Sequence, residues 1–215
     1  GAATSFFGQN YQFDPEYTNN YELALRSQWF DKRLTVNANI FLTDWVDQQV
    51  SQQVSPNPLD TIIVNAGESQ IYGGELEVSA NPVAGLEVFA AIGYAKTEFT
   101  DFMTGGDDFT GNVFPFAPEW TASFGGEYFF ENGIFIGMDA SYTDGSFRDI
   151  ENTPELDIPS RFLVNARLGY EFGNWGIFAY VSNAFDKQYW NRRDDDGTLR
   201  PGDPRQYGVV INWSL

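Results

Sequence analysis

The sequence predicts an all-β fold, an antiparallel transmembrane β-barrel of which about nine strands are present. Three observations predict it. Apolar and polar residues alternate with period 2 in segment after segment, connections alternate between very short and long, and aromatic residues gather near the ends of the apolar rows.

The strands follow in order. A first strand is expected over about residues 18–30. In the second, Leu34, Val36, Ala38, Ile40 and Leu42 form an apolar row against Thr35, Asn37, Asn39 and Phe41. The pattern returns as Tyr72, Gly74, Leu76, Val78 and Ala80 against Gly73, Glu75, Glu77 and Ser79, then as Leu86, Val88, Ala90, Ile92 and Tyr94 against Glu87, Phe89, Ala91 and Gly93. Trp120, Ala122, Phe124, Gly126, Tyr128 and Phe130 oppose Glu119, Thr121, Ser123, Gly125 and Glu127. Phe162, Val164, Ala166, Leu168 and Tyr170 oppose Arg161, Asn165, Arg167 and Glu171, and a last strand covers about residues 205–215. Charge stays on the second row. Short turns are expected at Asp31-Lys32-Arg33, Asn81-Pro82-Val83-Ala84-Gly85, Glu131-Asn132-Gly133 and Gly173-Asn174, where Gly and Asn accept positive φ. Between them lie polar, Asp-, Gly- and Pro-rich loops at about 53–61, 100–118, 143–159 and 186–204.

Strands of ten residues or more are long enough to cross a bilayer at a tilt of about 45°. Trp29, Tyr128, Phe130, Tyr170, Phe172, Trp175 and Trp213 lie near the short turns or the C-terminus, where one aromatic girdle would sit; Tyr21, Tyr94, Trp120 and Tyr142 lie toward the loops and supply the other. A soluble two-sheet sandwich would also alternate, with the same aromatics in its core, so that alternative stays open. A propeller blade packs four short strands into a similar length and fits poorly. Parity adds a constraint: a closed antiparallel barrel needs an even strand count, so nine strands imply others upstream. Residues 1–17 then read as the tail of a loop, and the chain as a processed product or a piece of a longer one, since it starts at Gly1, shows no signal peptide, and has its first methionine at Met103.

Composition narrows function. With 12 Lys+Arg against 30 Asp+Glu, a net charge of −18, the surface repels phosphate backbones, so no nucleic-acid partner is expected. No Cys and no His remove thiol catalysis, Cys/His zinc sites and His acid–base chemistry. Glu75 and Glu77 share a strand face as solvated hydrogen-bonding groups, not an acid–base pair, and no catalytic residue, cofactor or metal is expected. Asp194, Asp195, Asp196 and Gly197 invite a calcium reading, but EF-hand spacing would need an oxygen ligand where Arg192 stands. Asn212-Trp213-Ser214 matches a glycosylation acceptor formally but lies within the last strand.

Five stretches carry a family resemblance. Tyr21-Glu22-Leu23-Ala24-Leu25-Arg26-Ser27 is followed by Ile40-Phe41-Leu42-Thr43-Asp44-Trp45-Val46-Asp47-Gln48-Gln49, then by Asn65-Ala66-Gly67-Glu68-Ser69 with Tyr72-Gly73-Gly74-Glu75-Leu76-Glu77. Val181-Ser182-Asn183-Ala184-Phe185-Asp186-Lys187-Gln188-Tyr189 and Pro204-Arg205-Gln206-Tyr207-Gly208-Val209 complete the set. In this order they resemble the C-terminal barrel of TonB-dependent outer-membrane receptors over about residues 15–215. The resemblance implies a 22-stranded barrel around an N-terminal plug, energised by an inner-membrane TonB complex. It implies import of a scarce, bulky small molecule, with a ferric siderophore first and cobalamin or an oligosaccharide as alternatives. A passive porin-like barrel without a plug is the reading from a different class. It places the long loops outside the cell and the short turns and C-terminus in the periplasm. The family usually ends in an aromatic residue, whereas this chain ends in Leu215.

Candidate ligand contacts are Phe114, Phe116, Arg148, Trp190, Arg192 and Arg193, loop aromatics and cations suited to an anionic aromatic chelate. Equally, the arginines could neutralise nearby aspartates or bridge to lipopolysaccharide. Arg26, Glu75, Glu77, Arg161, Arg167 and Glu171 are expected to face the lumen, in a charge network or against the plug.

Overall fold

The computed structural model describes residues 2–6, 9–55, 60–65, 67–193 and 198–214. Among these, nine strands form one antiparallel meander: β1 (Tyr17–Trp29), β2 (Leu34–Val46), β3 (Glu68–Ala80), β4 (Leu86–Asp101), β5 (Trp120–Phe129), β6 (Ile134–Thr143), β7 (Arg161–Phe172), β8 (Trp175–Ser182) and β9 (Gln206–Trp213). Each pairs with its sequence neighbours, and β1 and β9 form the edges. No helix among the described residues is long and apolar enough to cross a membrane. The acidic run at 194–197, Ala66 and Leu215 lie outside the described residues.

Register keeps like with like. Leu25, Ala38, Leu76, Ile92, Ala122, Tyr142 and Phe162 stand opposite one another in turn across seven strands. One residue along, Arg26, Asn37, Glu77, Ala91, Ser123 and Ser141 do the same on the other face, ending at Leu163. A slip of one residue anywhere would exchange the faces. The apolar face is uncovered: Leu23 is 71% exposed, and Ile40, Met138 and Ile211 are each 62% exposed. So large an apolar surface, on a wall whose strand backbones are paired within the sheet, suits hydrocarbon and not water.

Aromatic rings bound this face at both ends. Trp175 and Trp213 face each other near the short turns at 6.4 Å, Tyr170 stacks on Phe172 at 5.3 Å, and Tyr94 meets Trp120 at the loop end at 4.7 Å. Tyr21 and Trp29 on β1, and Trp120 and Tyr128 on β5, are each eight residues apart, about 27 Å along a strand and about 21 Å of height at a tilt near 40°. That is close to the apolar band of an outer-membrane wall.

The short turns fall where expected. Phe30, Asp31 and Lys32 all adopt positive φ, and Gly85, Gly133 and Gly173 supply it elsewhere. On the polar face, four aromatic side chains lie against a glycine directly opposite on the next strand: Phe41 on Gly73, Phe89 on Gly125, Phe135 on Gly169 and Tyr180 on Gly208. A Cβ on Gly73 or Gly125 would stand 2.9 Å from the ring, and one on Gly208 2.8 Å. Only glycine leaves room for these rings.

The long connections differ from the expected irregular loops, because they are ordered and partly β. Gln49–Gln53 pairs with Thr61–Asn65, and Trp190–Arg193 with Leu199–Pro201. Ala2–Phe6 pairs with Gln9–Phe13, and this N-terminal hairpin is tied to the loop layer where Asn65 accepts from the Asp14 N–H at 2.8 Å and donates to its carbonyl at 3.0 Å. The densest core lies here and not in the wall. Phe99 and Phe102 are fully buried, packed with Val50, Phe109, Phe114 and Ile150. Trp45 and Ile71, which pack against this core, continue the polar-face row of their strands, as Phe99 does, so the loops fold over the lumen side.

Ala90 and Ala91 are neighbours on β4 that face opposite ways. Ala90→Arg puts a charge among the lipid-facing residues and is expected to cost about 2–4 kcal/mol. Ala91→Arg, opposite Glu77 and Ser123, should cost far less. Urea titration of the full barrel refolded into lipid vesicles measures both; equal costs would mean that the faces are misassigned.

Candidate ligand-binding site

The lumen face of the wall is polar and largely self-satisfied. Asn37 donates to Glu77 at 3.2 Å and Asn39 to Glu75 at 3.1 Å, each across one strand boundary, and Asn165 donates to Asp139 at 2.7 Å. Arg26 stands opposite Asn37 in the same row. Arg167 on β7 reaches across β6 to an ion pair with Glu127 on β5. The residue crossed is Gly137, where a Cβ would meet the Arg167 Nε at 2.9 Å. Glu171 faces Gly176 near the short turn, and Arg161 sits at the loop end with its guanidinium 5.6 Å from the Tyr189 ring. These groups are exposed or half-buried, and among the described residues no cluster of three or more acidic side chains is placed to hold a metal.

Above the lumen, the loops line an open cavity of about 520 Å³. Four of the six loop residues singled out from the sequence meet in its lining: Phe114, Phe116, Arg148 and Arg192. They come from three separate connections. The segment carrying Phe114 and Phe116 is bound to the next by a reciprocal pair, Asn152 accepting from the Val113 N–H at 2.7 Å and donating to its carbonyl at 2.9 Å. The Phe116 N–H also donates to the Phe147 carbonyl at 2.8 Å, and the Phe114 N–H to the buried Thr97 hydroxyl at 3.0 Å. Phe114 is a buried wall, 4.8 Å from Phe99 and 6.3 Å from Trp45 between ring centres. Phe116 is the open ring, 45% exposed, at a positive φ of 57°, with the Arg192 guanidinium 5.7 Å from its centre. A non-glycine residue in that region is strained by about 1–3 kcal/mol, which the loop contacts sustain.

Trp190 and Arg193 lie outside this lining. Trp190 opens the last loop hairpin opposite Pro201, and Arg193 donates to the Glu155 carbonyl at 2.5 Å, tying that hairpin to the 3₁₀ turn Pro154–Leu156. The cavity also uses residues that sequence reasoning passed over: Trp45, Gln48, Val50, Phe99 and Glu151. One signal was available. Trp45 and Phe99 place large rings on the lumen row, above the level of the loop-side girdle.

Charge in the cavity is mixed. Arg148 and Arg192 face Asp149 and Glu151. Burial, then the nearby Asp149 charge, pushes the Glu151 carboxyl above its ordinary value, and burial with Asp149 and Glu155 does the same to Asp157. An anion among the arginines is compatible with this lining, and so is an uncharged aromatic group on Phe116.

The last loop owes its base to one side chain. Asn183 is buried, accepts from the Lys187 N–H at 2.8 Å, and donates to the carbonyls of Lys187 at 2.9 Å and Asp203 at 3.1 Å. Its own N–H donates to Asn165 at 3.0 Å, and Asp186 accepts from the Arg205 N–H at 2.9 Å. The resemblance motif around Asn183 is thus a clasp joining β8 to the start of β9.

Comparison with known proteins agrees with this architecture. The family model for the TonB-dependent receptor-like β-barrel matches residues 1–184. The chain belongs to this TonB-dependent receptor family. Its members are outer-membrane receptors and transporters and not enzymes. The receptor chain is similar to the ferric-pyoverdine receptor PbuA of Pseudomonas sp. strain M114, 26% identical over 200 residues that cover 89% of this chain and 24% of the relative. It is also similar to the catecholate siderophore receptor Fiu of Escherichia coli K12, 26% identical over 93% of this chain and 26% of the relative. Among solved structures it matches the siderophore receptor PiuA of Acinetobacter baumannii with a TM-score of 0.78 and 24% identity, over 94% of this chain and 29% of that one. The receptor chain therefore spans about a quarter of the length of the curated relatives it matches.

Two outcomes are expected from this geometry. Asn183→Ala strands the Lys187 N–H and two carbonyls and should cost about 1–3 kcal/mol in urea unfolding of the full barrel, with faster proteolysis in 186–204. Because the folded loop holds the protons of Glu151 and Asp157 more tightly than an unfolded one, ionising them loosens it. Loop stability therefore drops as pH rises from the ordinary carboxylate value, about 4, through the raised values, and is recovered on acidification. Amide exchange in 145–160, corrected for intrinsic rates, should slow between pH 7 and pH 4.5, and Glu151→Gln should flatten that dependence.

Proposed function

We propose that this chain is the C-terminal part of a TonB-dependent transporter that imports a ferric siderophore across the outer membrane. The observation that carries the reading is the cavity on the lumen side of the loops, where Phe116, Arg148 and Arg192 converge. An aromatic ring beside two guanidinium groups suits an anionic iron chelate with aromatic arms, held by stacking, cation–π contact and charge-assisted hydrogen bonds. The names of the pyoverdine and catecholate receptors support the same ligand class. In this reading the long loops are extracellular, the short turns periplasmic, and residues 1–17 the end of an extracellular loop. Further strands complete a 22-stranded wall, and the ladder of Arg26, Glu75, Glu77, Arg167 and Glu171 faces a plug supplied by the longer protein. The inner-membrane TonB complex drives release, and lipopolysaccharide surrounds the outer half of the wall.

The test is growth of an iron-starved host deleted for its own receptors, with and without the full-length gene, given one ligand at a time from ferric siderophores, cobalamin and oligosaccharides. The expected result is rescue by a ferric siderophore, lost when the energising complex is deleted and weakened about tenfold by Arg192→Ala, consistent with the loss of one charge-assisted contact. Rescue that survives deletion of that complex would make the protein a passive pore.

A further inference from the structure

Three of the four short turns place a glycine at positive φ, and the turn between β1 and β2 does not. There the Arg33 N–H donates to the Phe30 carbonyl at 3.1 Å, so Asp31 and Lys32 are the central residues, at φ of 55° and 67°. Hairpin turns with both central residues at positive φ favour Asn or Asp at the first and glycine at the second. Asp31 fits, and Lys32 does not. A lysine is strained in this region, which glycine enters without cost. The same turn carries Lys32 and Arg33, the only cations in the four short turns. Arg33 lines a hollow with Asn81, Val83 and Glu87, and its carbonyl accepts from the Asn81 N–H at 2.8 Å. Lys32 is exposed and makes no hydrogen bond or ion pair among the described residues. No contact within the described fold therefore explains a lysine at this position.

The level of the turn supplies the reason. Trp29 ends β1 on the apolar row, opposite Leu34, and is 57% exposed, and Phe30 after it is 74% exposed. The Trp29 indole N–H donates to the Ser27 hydroxyl on the same row at 3.1 Å, which holds the ring toward the lipid. A further strand beside β1 would pair with its backbone edge and leave this face to the lipid. Lys32 follows three residues after Trp29, beyond the aromatic girdle and at the depth of the headgroups. We infer that Lys32 binds the phosphate of an anionic phospholipid in the inner leaflet of the outer membrane, with the Trp29 and Phe30 rings at the hydrocarbon boundary beside it. This rests on the reading that puts the short turns in the periplasm, where the leaflet is phospholipid. A lysine at such a level keeps its stem in apolar surroundings and its charge among the headgroups. Contact with phosphate offsets the strained backbone and accounts for lysine in place of glycine.

Two substitutions separate charge from strain. Lys32→Gln removes the charge and keeps the strain, and Lys32→Gly removes both. The full-length receptor is refolded into vesicles of phosphatidylcholine alone, or with about 30 mol% phosphatidylglycerol, and unfolded in urea. The folding equilibrium of the parent should exceed that of Lys32→Gln by about fivefold more in the anionic vesicles than in the neutral ones, the worth of one cation at an anionic surface. High salt should erase that difference. In phosphatidylcholine alone, Lys32→Gly should be at least as stable as the parent, because glycine takes the positive φ without strain. Comparing two lipids on one protein cancels any general effect of a substitution on folding. A ratio of parent to Lys32→Gln that is the same in both vesicles overturns the phospholipid assignment alone and leaves the lysine to a protein partner. Lys32→Cys should react with an impermeant maleimide only after the outer membrane is permeabilised. Labelling in intact cells would put the turn outside and overturn the topology, and this inference with it.

Discussion

Everything in this chain depends on the wall being one sheet thick between hydrocarbon and water. In a bilayer no solvent is present to satisfy peptide groups, so each strand must bond to a neighbour along its length, and that pairing fixes a two-residue period for side chains. The charge distribution follows. Glu75, Glu77, Glu127, Asp139 and Arg167 all fall on one face, while Leu25, Ile92, Met138 and Leu168 fall on the other. A modest hydrophobic content of 42% is enough, since only every second strand residue meets lipid. Much of the net charge of −18 can then be carried by loops and lumen.

The wall and the mouth are held together by different physics. In the wall, backbone pairing and lipid contact dominate, and the side chains on the lumen face form small polar bridges such as Asn37 to Glu77. In the mouth, the connections build a conventional apolar core around Phe99 and Phe102, rooted on Trp45 and Ile71 where their strands rise above the apolar band. Reciprocal side-chain bonds such as Asn152 to Val113 then lock one loop to the next. The cavity is a by-product of that packing. Its wall is rigid where it is apolar, and its chemistry comes from the few polar groups that the core leaves facing inward.

The wall was legible from sequence because its signal is local and periodic. β1 and β9 fall within two residues of the expected limits, and all four short turns sit where expected, three of them with a Gly at positive φ and the first turning at Phe30, Asp31 and Lys32. The mouth was not, because its contacts join residues far apart without any repeating pattern: Asn112 donates to the Ile150 carbonyl, and Gln52 accepts from Thr104. Among the described residues, loops that read as polar punctuation therefore contain three short strand pairings, Met103–Thr104 with Asp107–Asp108 being the third, and most of the buried apolar core. For the site, residue chemistry pointed to Phe116, Arg148 and Arg192, but Trp45 and Gln48 were absorbed into the end of a strand. Their place in the lining becomes visible only once the surrounding fold is known.

The alternation that sorts the two faces has a blind spot, and the glycine-ring pairs cover it. Sliding a strand by two residues restores every apolar side chain to the lipid and every polar one to the lumen, so greasiness alone cannot tell the native alignment from its nearest wrong ones. After such a slide Phe41 would oppose Ile71 or Glu75 in place of Gly73, and Phe135 would oppose Arg167 or Glu171 in place of Gly169. Each misplacement drives a ring into a side chain and costs about 1–3 kcal/mol, by the usual cost of overpacking. Set at four of the eight strand junctions, these pairs distinguish the native register from two-residue slips, which the sorting of faces between lipid and water leaves equivalent.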